Sequence, residues 1–350
     1  MPSADLVPPE QGVHVALGTR DLSRGELVEI AEEVDALGFG GLWITESSGR
    51  DAFSVLTEVA LRTRKVHLGT GIVNTYGRTP ATLAMAAASL AEVASGRTVN
   101  LGIGASSKAI VEGFHGISFG SPAKRMEEAL QIIRRALSGE KIQHRGEHFN
   151  LDGRFRLEAP SQSDRVRLYA SALSPRMVRV VREHADGWLG IWVSKSKFAL
   201  LRQQLTEDVG SSSSPPSLAA YLYSFTGDDE RGRQLLRSAL ARYIAGSGAA
   251  YTRLFCSYGY QKEVNDVLEA WKVGDRRSSS AAVTDEMIDD LCILGGPTAV
   301  AEQISLFRRI GIELPILRFP DGLPSAEMVD MLRGAARSLT QRNSAEGGQE

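Results

Sequence analysis

Two glycines stand near the end of a strand-like run in the stretch HLGTGIVNTYGRTPA, which covers 67–81. A glycine inside a strand weakens it by roughly 0.5–1 kcal/mol, because glycine loses more backbone entropy on folding than other residues. Strands therefore keep glycine mainly at a bulge, at a tight bend, or where a ligand or another backbone approaches closely. Gly69 and Gly71 thus predict either a rigid flat ligand packed against the strand end or an ordinary bend in the backbone.

The residues that follow the predicted strands are small, hydroxylated and mostly uncharged. In chain order, these segments are 17–19, 45–48, 71–74, 104–108, 171–174, 192–194, 225–226 and 318–319. They hold neither the His/Asp/Glu cluster of a metal hydrolase nor the nucleophile–base pair of other hydrolases. We therefore predict no metal centre, and instead a pocket for a bulky planar cofactor that carries the chemistry itself.

Short apolar runs alternate along the chain with segments of helical periodicity. The eight strand candidates are 13–17, 41–45, 66–72, 99–104, 166–171, 187–192, 218–225 and 314–319. Alternating β and α units predict a parallel sheet. Eight units predict an α/β fold of the (β/α)8 TIM-barrel type, in which functional residues collect at the C-terminal ends of the strands. A doubly wound open sheet is the alternative, but no strand is followed by the Gly-x-Gly-x-x-Gly turn that binds dinucleotides.

We assign 1–342 to this single barrel domain and expect two insertions in it. Residues 139–165 contain HRGEHFNLDG, which indicates a β-hairpin, and residues 246–296 are helical and separate the seventh strand from the eighth. The serine-rich stretches 211–216 and 278–280 predict flexible loops, and 343–350 predict a disordered tail.

Composition excludes several classes of protein. Hydrophobic residues make up 43% of the 350 residues, and the net charge is −2 without a long run of either sign. This balance excludes global disorder and argues against a nucleic-acid surface. Cys256 and Cys292 lie far apart without metal-ligand spacing, as is typical of a reducing cytoplasm. There is no apolar signal core and no apolar stretch long enough to span a membrane, so we predict a soluble, cytoplasmic protein.

Several motifs, in order and with consistent spacing across about 12–320, resemble one family. They are GFGGLWITES, TGIVNTYGRTPATLAMAAASLAEVASGR, LGIGASSKAIVEGFHG, GEHFNL, YASALSPRMVRVVREHADGW and ILGGPTAVAEQI. The sequence resembles the luciferase-like monooxygenase superfamily. Within it, the resemblance is to the branch of coenzyme F420-dependent oxidoreductases that includes methylenetetrahydromethanopterin reductase.

The resemblance implies a flavin or an 8-hydroxy-5-deazaflavin bound at the C-terminal mouth of the barrel. Family members carry a bulge with a non-prolyl cis peptide at the end of the third strand, where it supports the cofactor ring. In this sequence, the bulge would fall at Gly71-Ile72. The ring edge or the ribityl chain would be hydrogen-bonded by Asn74, Ser106 and Ser107, unless these residues only cap local loops.

The resemblance also implies a site for the cofactor phosphate near Ala172-Leu173-Ser174. There the fifth strand turns into a helix, and backbone N–H groups and the helix dipole favour an anion. Arg176 would add positive charge. Ser174 followed by Pro175 is also an ordinary helix start, and the two interpretations are compatible.

The sequence departs from the family pattern where protons are handled. F420 dehydrogenases of this superfamily often carry Asp-His after the second strand, and here the pair is Glu46-Ser47. Several members carry an acidic residue after the fourth strand, where Ser107 stands in this chain. Glu46 and Ser47 are therefore the catalytic candidates, and the alternative for Glu46 is that it only bonds the neighbouring backbone.

The remaining candidates are aromatic or basic. For the substrate pocket they are Tyr76, Trp192 and Arg318, and Trp192 is equally consistent with plain packing. We interpret four histidines as structural, namely His14, His67, His115 and His184.

Three functions remain open at this stage. The first is F420-dependent hydride transfer to or from a small organic substrate, and the second is an FMNH2-dependent monooxygenase served by a separate flavin reductase. The third is a non-catalytic flavin-binding paralogue, because familiar acid/base residues are missing. By analogy with the family, we expect a homodimer that packs the helices beside the second and third strands.

Overall fold

A computed structural model describes residues 12–159, 162, 164–206, 214–227 and 229–346. Its strands are β1 His14–Leu17, β2 Gly41–Ile44, β3 His67–Thr70, β4 Val73–Asn74, β5 Val99–Gly104, β6 Gln143–Arg145, β7 Asn150–Asp152, β8 Val166–Ala170, β9 Gly187–Ile191, β10 Ser217–Thr226, β11 Ile293–Gly295 and β12 Leu314–Arg318. Its helices are α1 Arg24–Ala36, α2 Ala52–Arg62, α3 Pro80–Val93, α4 Lys108–Gly113, α5 Pro122–Leu137, α6 Pro175–His184, α7 Phe198–Thr206, α8 Asp229–Gly246, α9 Ala249–Ser257, α10 Gln261–Lys272, α11 Arg276–Ala281, α12 Asp285–Leu291, α13 Pro297–Ile310 and α14 Ser325–Glu346.

Eight parallel strands close into a barrel, which confirms the predicted (β/α)8 fold and excludes the open sheet. The order around the barrel is β1, β2, β3, β5, β8, β9, β10 and β12, and β12 pairs again with β1. The short strand β4 resumes the course of β3 and pairs with β5, while β11 pairs with the end of β10. The C-terminal ends of all eight strands therefore meet at one mouth.

The helices begin where the sequence offers capping groups. At α1, the Ser23 hydroxyl accepts the N–H of Glu26, and the Glu26 carboxylate accepts the N–H of Ser23, which together form a capping box. At α3, Thr79 caps a helix whose first residue is Pro80. No helix in the part of the chain that the structure describes is both long enough and apolar enough to cross a membrane.

Large side chains fill the barrel interior. The inner cluster consists of Ala16, Trp43, Tyr169, Leu189, Ala219, Tyr221, Leu314 and Ile316. The Trp43 indole donates to Nδ1 of His14 at 3.0 Å, and His67 Nδ1 accepts the N–H of Thr98 at 2.9 Å. Both histidines lie at the starts of their strands, away from the mouth, as predicted. A Cβ at Gly69 would overlap the Trp43 ring, so this glycine makes room for a core side chain.

The hairpin predicted within 139–165 is present as β6 and β7, and a buried carboxylate holds its turn to α5. Glu128 accepts the backbone N–H groups of Glu147, His148 and Phe149 at 2.8, 3.0 and 3.0 Å. Burial favours a higher pKa for Glu128, but these three donors outweigh it and lower the pKa below its ordinary value. The motif GEHFNL is therefore explained by the turn that Glu128 binds.

Two predictions about order are wrong. Residues 278–280 belong to helix α11, not to a flexible loop, because Asp275 caps that helix and the hydroxyl of Ser280 bonds back to the Arg276 carbonyl. The final helix continues to Glu346, into the segment predicted as a disordered tail. The rest of that tail, and 211–213 of the other serine-rich stretch, lie outside the described residues.

Candidate active site

The third barrel strand is interrupted at the mouth. Strand β3 ends at Thr70, the Gly71–Ile72 peptide bond is cis, and the strand resumes at Val73. This confirms the bulge expected from the resemblance. The side chain of Ile72 is half-buried and packs on the inner cluster from above, so it presents an apolar surface at the mouth.

Gly71 is a glycine because another side chain lies where its Cβ would be. An added Cβ would overlap the Tyr221 hydroxyl and would lie 2.8 Å from Cζ of the same ring. Tyr221 belongs to β10 and reaches Gly71 through the barrel interior. The group that approaches Gly71 closely is therefore a tyrosine of this chain, whereas the ligand predicted against this strand end stays a prediction.

The hydroxyl of Tyr221 has an unusual environment. The residue is 6% exposed, and its hydroxyl finds no hydrogen-bond partner among the described residues. Burial raises the pKa of Tyr221 well above its ordinary value, although the positive charge of Arg318 opposes the shift. The phenol is therefore a neutral donor. Sequence reasoning missed it, although its alternation with Ala219 along β10 marks both residues as facing inward.

Small residues line the mouth beside the bulge. Asn74 pairs in register with Gly104, and Ile103 pairs with Ala170, so the next residue, Ser171, lies level with Gly104. A Cβ at Gly104 would lie 2.5 Å from Ile72 Cδ1 and 2.7 Å from Ser171 Oγ. Position 104 is thus a glycine because the side chains of Ile72 and Ser171 fill the space that its Cβ would take.

Asn74 holds the turn that follows the bulge. Its side-chain oxygen accepts the N–H groups of Tyr76 and Gly77 at 2.9 and 2.6 Å. Its side-chain nitrogen donates to Nε2 of His115 at 3.1 Å. His115, which we interpreted as structural, therefore lies half-buried at the mouth. No local pattern predicts this contact, because the two residues lie 41 positions apart in the chain.

The two serines after β5 differ in their roles. Ser107 caps α4, because its hydroxyl accepts the N–H of Ile110 at 3.3 Å. Ser106 is exposed and has a left-handed backbone, with φ of +59°. Only Ser106 therefore leaves its side chain available to a ligand without giving up a helix cap.

The proposed phosphate segment follows β8 and leads into α6. Ser174 caps that helix by accepting the N–H of Met177 at 3.3 Å, and Pro175 is its first residue. Ala172 is buried, with its carbonyl accepting the Trp188 indole at 3.3 Å, whereas Leu173 is half-buried. Arg176 is exposed on the first turn. The arrangement offers backbone, hydroxyl and guanidinium groups to an anion.

Glu46 is held in an ion pair. Its carboxylate binds the Arg78 guanidinium through two bonds of 2.7 and 2.8 Å and also accepts the N–H of Ala52 at 2.9 Å. Both oxygens are thus in use, and Arg78 bridges Glu46 to Asp51. This environment fits the alternative structural interpretation of Glu46. Ser47 lies exposed on the loop that follows.

Two of the three candidates for the substrate pocket are packed away from it. Tyr76 is 4% exposed, donates to the Phe119 carbonyl at 2.6 Å, and lies under the Arg125 guanidinium. Trp192 is 1% exposed and stacks on Tyr223 with ring centroids 4.2 Å apart. The structure thus gives Tyr76 a packing role and favours the packing interpretation of Trp192.

Two helices cover Trp192, α8 before the second insertion and α9 within it. Tyr243 of α8 and Phe255 of α9 pack against its ring at centroid distances of 5.2 and 6.2 Å. The third candidate, Arg318, lies at the end of β12 and donates to the Phe319 carbonyl at 2.9 Å and to Asp321 at 2.5 Å. It is a buried cation at the mouth that already has an anionic partner.

Comparisons with known proteins agree with this geometry. The family described as luciferase-like monooxygenase matches residues 3–314. A 5,10-methylenetetrahydromethanopterin reductase of Archaeoglobus fulgidus is 30% identical over 322 residues, which cover 89% of this chain and 95% of the relative.

Two solved structures share the fold. The coenzyme F420-dependent tetrahydromethanopterin reductase of Methanopyrus kandleri matches with a TM-score of 0.79 and 21% identity, covering 92% of this chain and 97% of that one. The oxygenating constituent of 3,6-diketocamphane monooxygenase of Pseudomonas putida, in complex with FMN, matches with a TM-score of 0.64 and 16% identity, covering 94% and 98%. With the family match over most of its length, the barrel and the bulge at its third strand, this chain belongs to the luciferase-like monooxygenase family.

Proposed function

We propose that this protein is an oxidoreductase that uses coenzyme F420 to transfer hydride to or from a small organic substrate. The observation that carries the proposal is the bulge at Gly71–Ile72, which lies at a mouth of mostly small, uncharged residues with the buried Arg318 beside them. Such a mouth offers little acid/base chemistry of its own, so a bound cofactor would supply the chemistry. The 30% identical relative is a reductase, and a fold relative is named as F420-dependent.

The residues present fit a ring-bearing cofactor. Ile72 and Ile191 are half-buried on top of the inner cluster and would form an apolar floor for the ring. The absence of a side chain at Gly104 lets Ile72 and Ser171 pack over the end of β5. A ring placed there would be in reach of the Asn74 turn and of Ser106, and its phosphate-bearing chain would extend towards Ser174 and the first turn of α6.

When bound, the deazaflavin supplies the hydride chemistry through its own ring carbon. The protein orients the ring, excludes water from one of its faces, and leaves the other face to the substrate. We also propose Glu46 and Ser47 as catalytic residues. The Glu46 carboxylate would then have to act while it is ion-paired with Arg78. We propose that Arg318 contributes the positive charge at the mouth.

The second candidate is an FMNH2-dependent monooxygenase that receives reduced flavin from a separate reductase. It is supported by the fold match to a monooxygenase in complex with FMN. The same barrel serves both chemistries, so the fold does not choose between them. A non-catalytic flavin-binding paralogue is a third candidate. It is favoured because both oxygens of Glu46 are already hydrogen-bonded within the protein.

An anaerobic assay separates these functions. Reduced F420 mixed with catalytic amounts of protein and a panel of carbonyl and imine compounds should be oxidised without oxygen, as followed by the deazaflavin absorbance. Turnover that requires both reduced FMN and oxygen would instead establish the monooxygenase. Binding of either cofactor without any turnover would support the paralogue.

We also propose a homodimer formed through α2 and α3. Leu61 on α2 and Met85 on α3 are large apolar side chains that are 64% and 57% exposed. The two helices pack on each other; α2 also packs on β2 and β3, and α3 packs on β5 and β8. An exposed apolar pair on adjacent helices is typical of a surface covered by a second copy of the chain.

A further inference from the structure

Three buried polar atoms close to the barrel mouth have no hydrogen-bond partner among the described residues. They are the hydroxyl of Thr75, the indole nitrogen of Trp192 and the hydroxyl of Tyr221. A buried polar group without a partner is costly, so native proteins seldom keep one unless a ligand or function uses it. Trp192 is enclosed by aromatic rings, and Thr75 lies beyond the bulge. Tyr221 alone lies against the bulge itself.

The position of the Tyr221 hydroxyl decides what it can meet. It lies where the Cβ of Gly71 would be, at the backbone of the bulge. On the side of the mouth, Ile72 and Ile191 pack on the inner cluster and are only half-buried. A ring whose edge lies against the Gly71 backbone, beside Ile72 and Ile191, would therefore bring an in-plane acceptor atom towards the hydroxyl, whereas a substrate stacked on the far face of that ring would be separated from it.

We propose that the Tyr221 hydroxyl donates a hydrogen bond to an acceptor atom of the cofactor ring and thereby strengthens binding of the reduced ring in particular. This inference rests on the proposed function. The neutral state of the phenol suits the role, because a raised pKa keeps the proton on the donor. A reduced ring carries more electron density on its acceptor atoms, and a hydrogen bond strengthens as its acceptor becomes more negative.

A second tyrosine in the same interior gives a matched control. Tyr169 is 3% exposed and belongs to the inner cluster, but it hydrogen-bonds Ser217. Ser217 pairs with Gly187 at the start of β9, at the end of the barrel away from the mouth. Tyr169→Phe therefore removes a partnered hydroxyl that no ligand at the mouth can reach, whereas Tyr221→Phe removes an unpartnered one beside the bulge.

The two variants should show opposite behaviour. Without ligand, Tyr221→Phe should have a Tm equal to or above that of the wild type, because its hydroxyl has no partner to lose. Tyr169→Phe should have a lower Tm. In fluorescence titrations, Tyr221→Phe should weaken binding of reduced F420 by about tenfold, and that of oxidised F420 by less. Tyr169→Phe should leave both affinities within about twofold of the wild type.

Each other outcome is decisive. If the wild type binds F420 and Tyr221→Phe binds both forms as tightly, the inference is wrong and the proposed function stands. If Tyr221→Phe lowers the Tm and weakens both forms equally, the hydroxyl has a structural role, which also overturns the inference. If the wild type binds no F420, the proposed function and the inference that rests on it both fail.

Discussion

At the residue scale, Gly71 and Tyr221 are in steric contact across the barrel interior. The glycine is needed because the phenol occupies the space of its Cβ, and the phenol has no hydrogen-bond partner among the described residues. The same logic explains Gly69, which makes room for Trp43. Glycines at this strand end are thus explained by contacts within the chain, and the proposed cofactor surface is built on top of those contacts.

Gly71→Ala should destabilise the protein by about 1–3 kcal/mol, because the added methyl group overlaps the Tyr221 hydroxyl. In a Tyr221→Phe background the cost should be smaller, because the overlapping oxygen is gone. Urea unfolding of the four proteins in this double-mutant cycle measures the coupling. Equal costs in the two backgrounds would contradict the steric account.

The same substitution elsewhere provides the control. Gly25 is the second residue of α1, and an added Cβ would meet nothing within 4 Å. Gly25→Ala should therefore cause no loss of stability and should gain at most roughly 0.5–1 kcal/mol, the advantage of alanine over glycine in a helix interior.

The hairpin and the insertion helices show how elements outside the barrel are attached. One buried carboxylate on α5, that of Glu128, serves three backbone donors of the hairpin turn. At the other insertion, the Lys195 ammonium donates to the carbonyls of Asp289 and Cys292 at 2.6 and 2.7 Å. Both attachments use a single charged side chain to bond several backbone groups at once.

Glu128→Gln should lower the free energy of unfolding by about 1–3 kcal/mol, because an amide accepts the three N–H groups less well than a carboxylate. The pKa of Glu128 is lowered from its ordinary value of 4.5, so its contribution is present above that pH and is lost as the pH falls further. The difference between wild type and variant should therefore shrink on acidification.

The neighbouring residue makes a suitable comparison. Glu127 is half-buried and pairs with Lys124 at 3.1 Å near the surface. Glu127→Gln should cost less than about 1 kcal/mol. Chemical denaturation across the acidic range would contradict the account if the two variants behaved alike.

Periodicity was sufficient to predict the barrel, because each strand is a short apolar run followed by an amphipathic helix. It failed at 278–280, where serines that often mark loops are held in α11 by a cap and by backbone bonds. It also missed Tyr221, His115 and the Glu46–Arg78 pair. These contacts depend on how side chains meet across the closed barrel, and no local spacing encodes that.

At the scale of the whole molecule, the proposed dimer leaves the mouth free, because α2 and α3 cover the outside of the barrel. Replacing both Leu61 and Met85 with Glu should convert the dimer into a monomer, since four charges would be buried at a two-fold interface. Light scattering after size-exclusion chromatography measures the mass. Val273→Glu, at an exposed apolar residue after α10 that is 80% exposed, should leave the dimer intact.

If the wild type is already a monomer, or if the double variant keeps the mass of a dimer, the proposed surface is wrong. Either result would leave the proposed cofactor site untouched, because the mouth is formed within one chain.

The central claim is that the mouth above Gly71 and Ile72 binds coenzyme F420. Its most direct test is equilibrium titration of the purified protein with F420 and FMN, each oxidised and reduced, followed by fluorescence. We expect F420 to bind at least about tenfold more tightly than FMN, a difference of roughly 1.4 kcal/mol. Tighter binding of reduced FMN would contradict the claim and favour the monooxygenase, and binding of neither cofactor would contradict both.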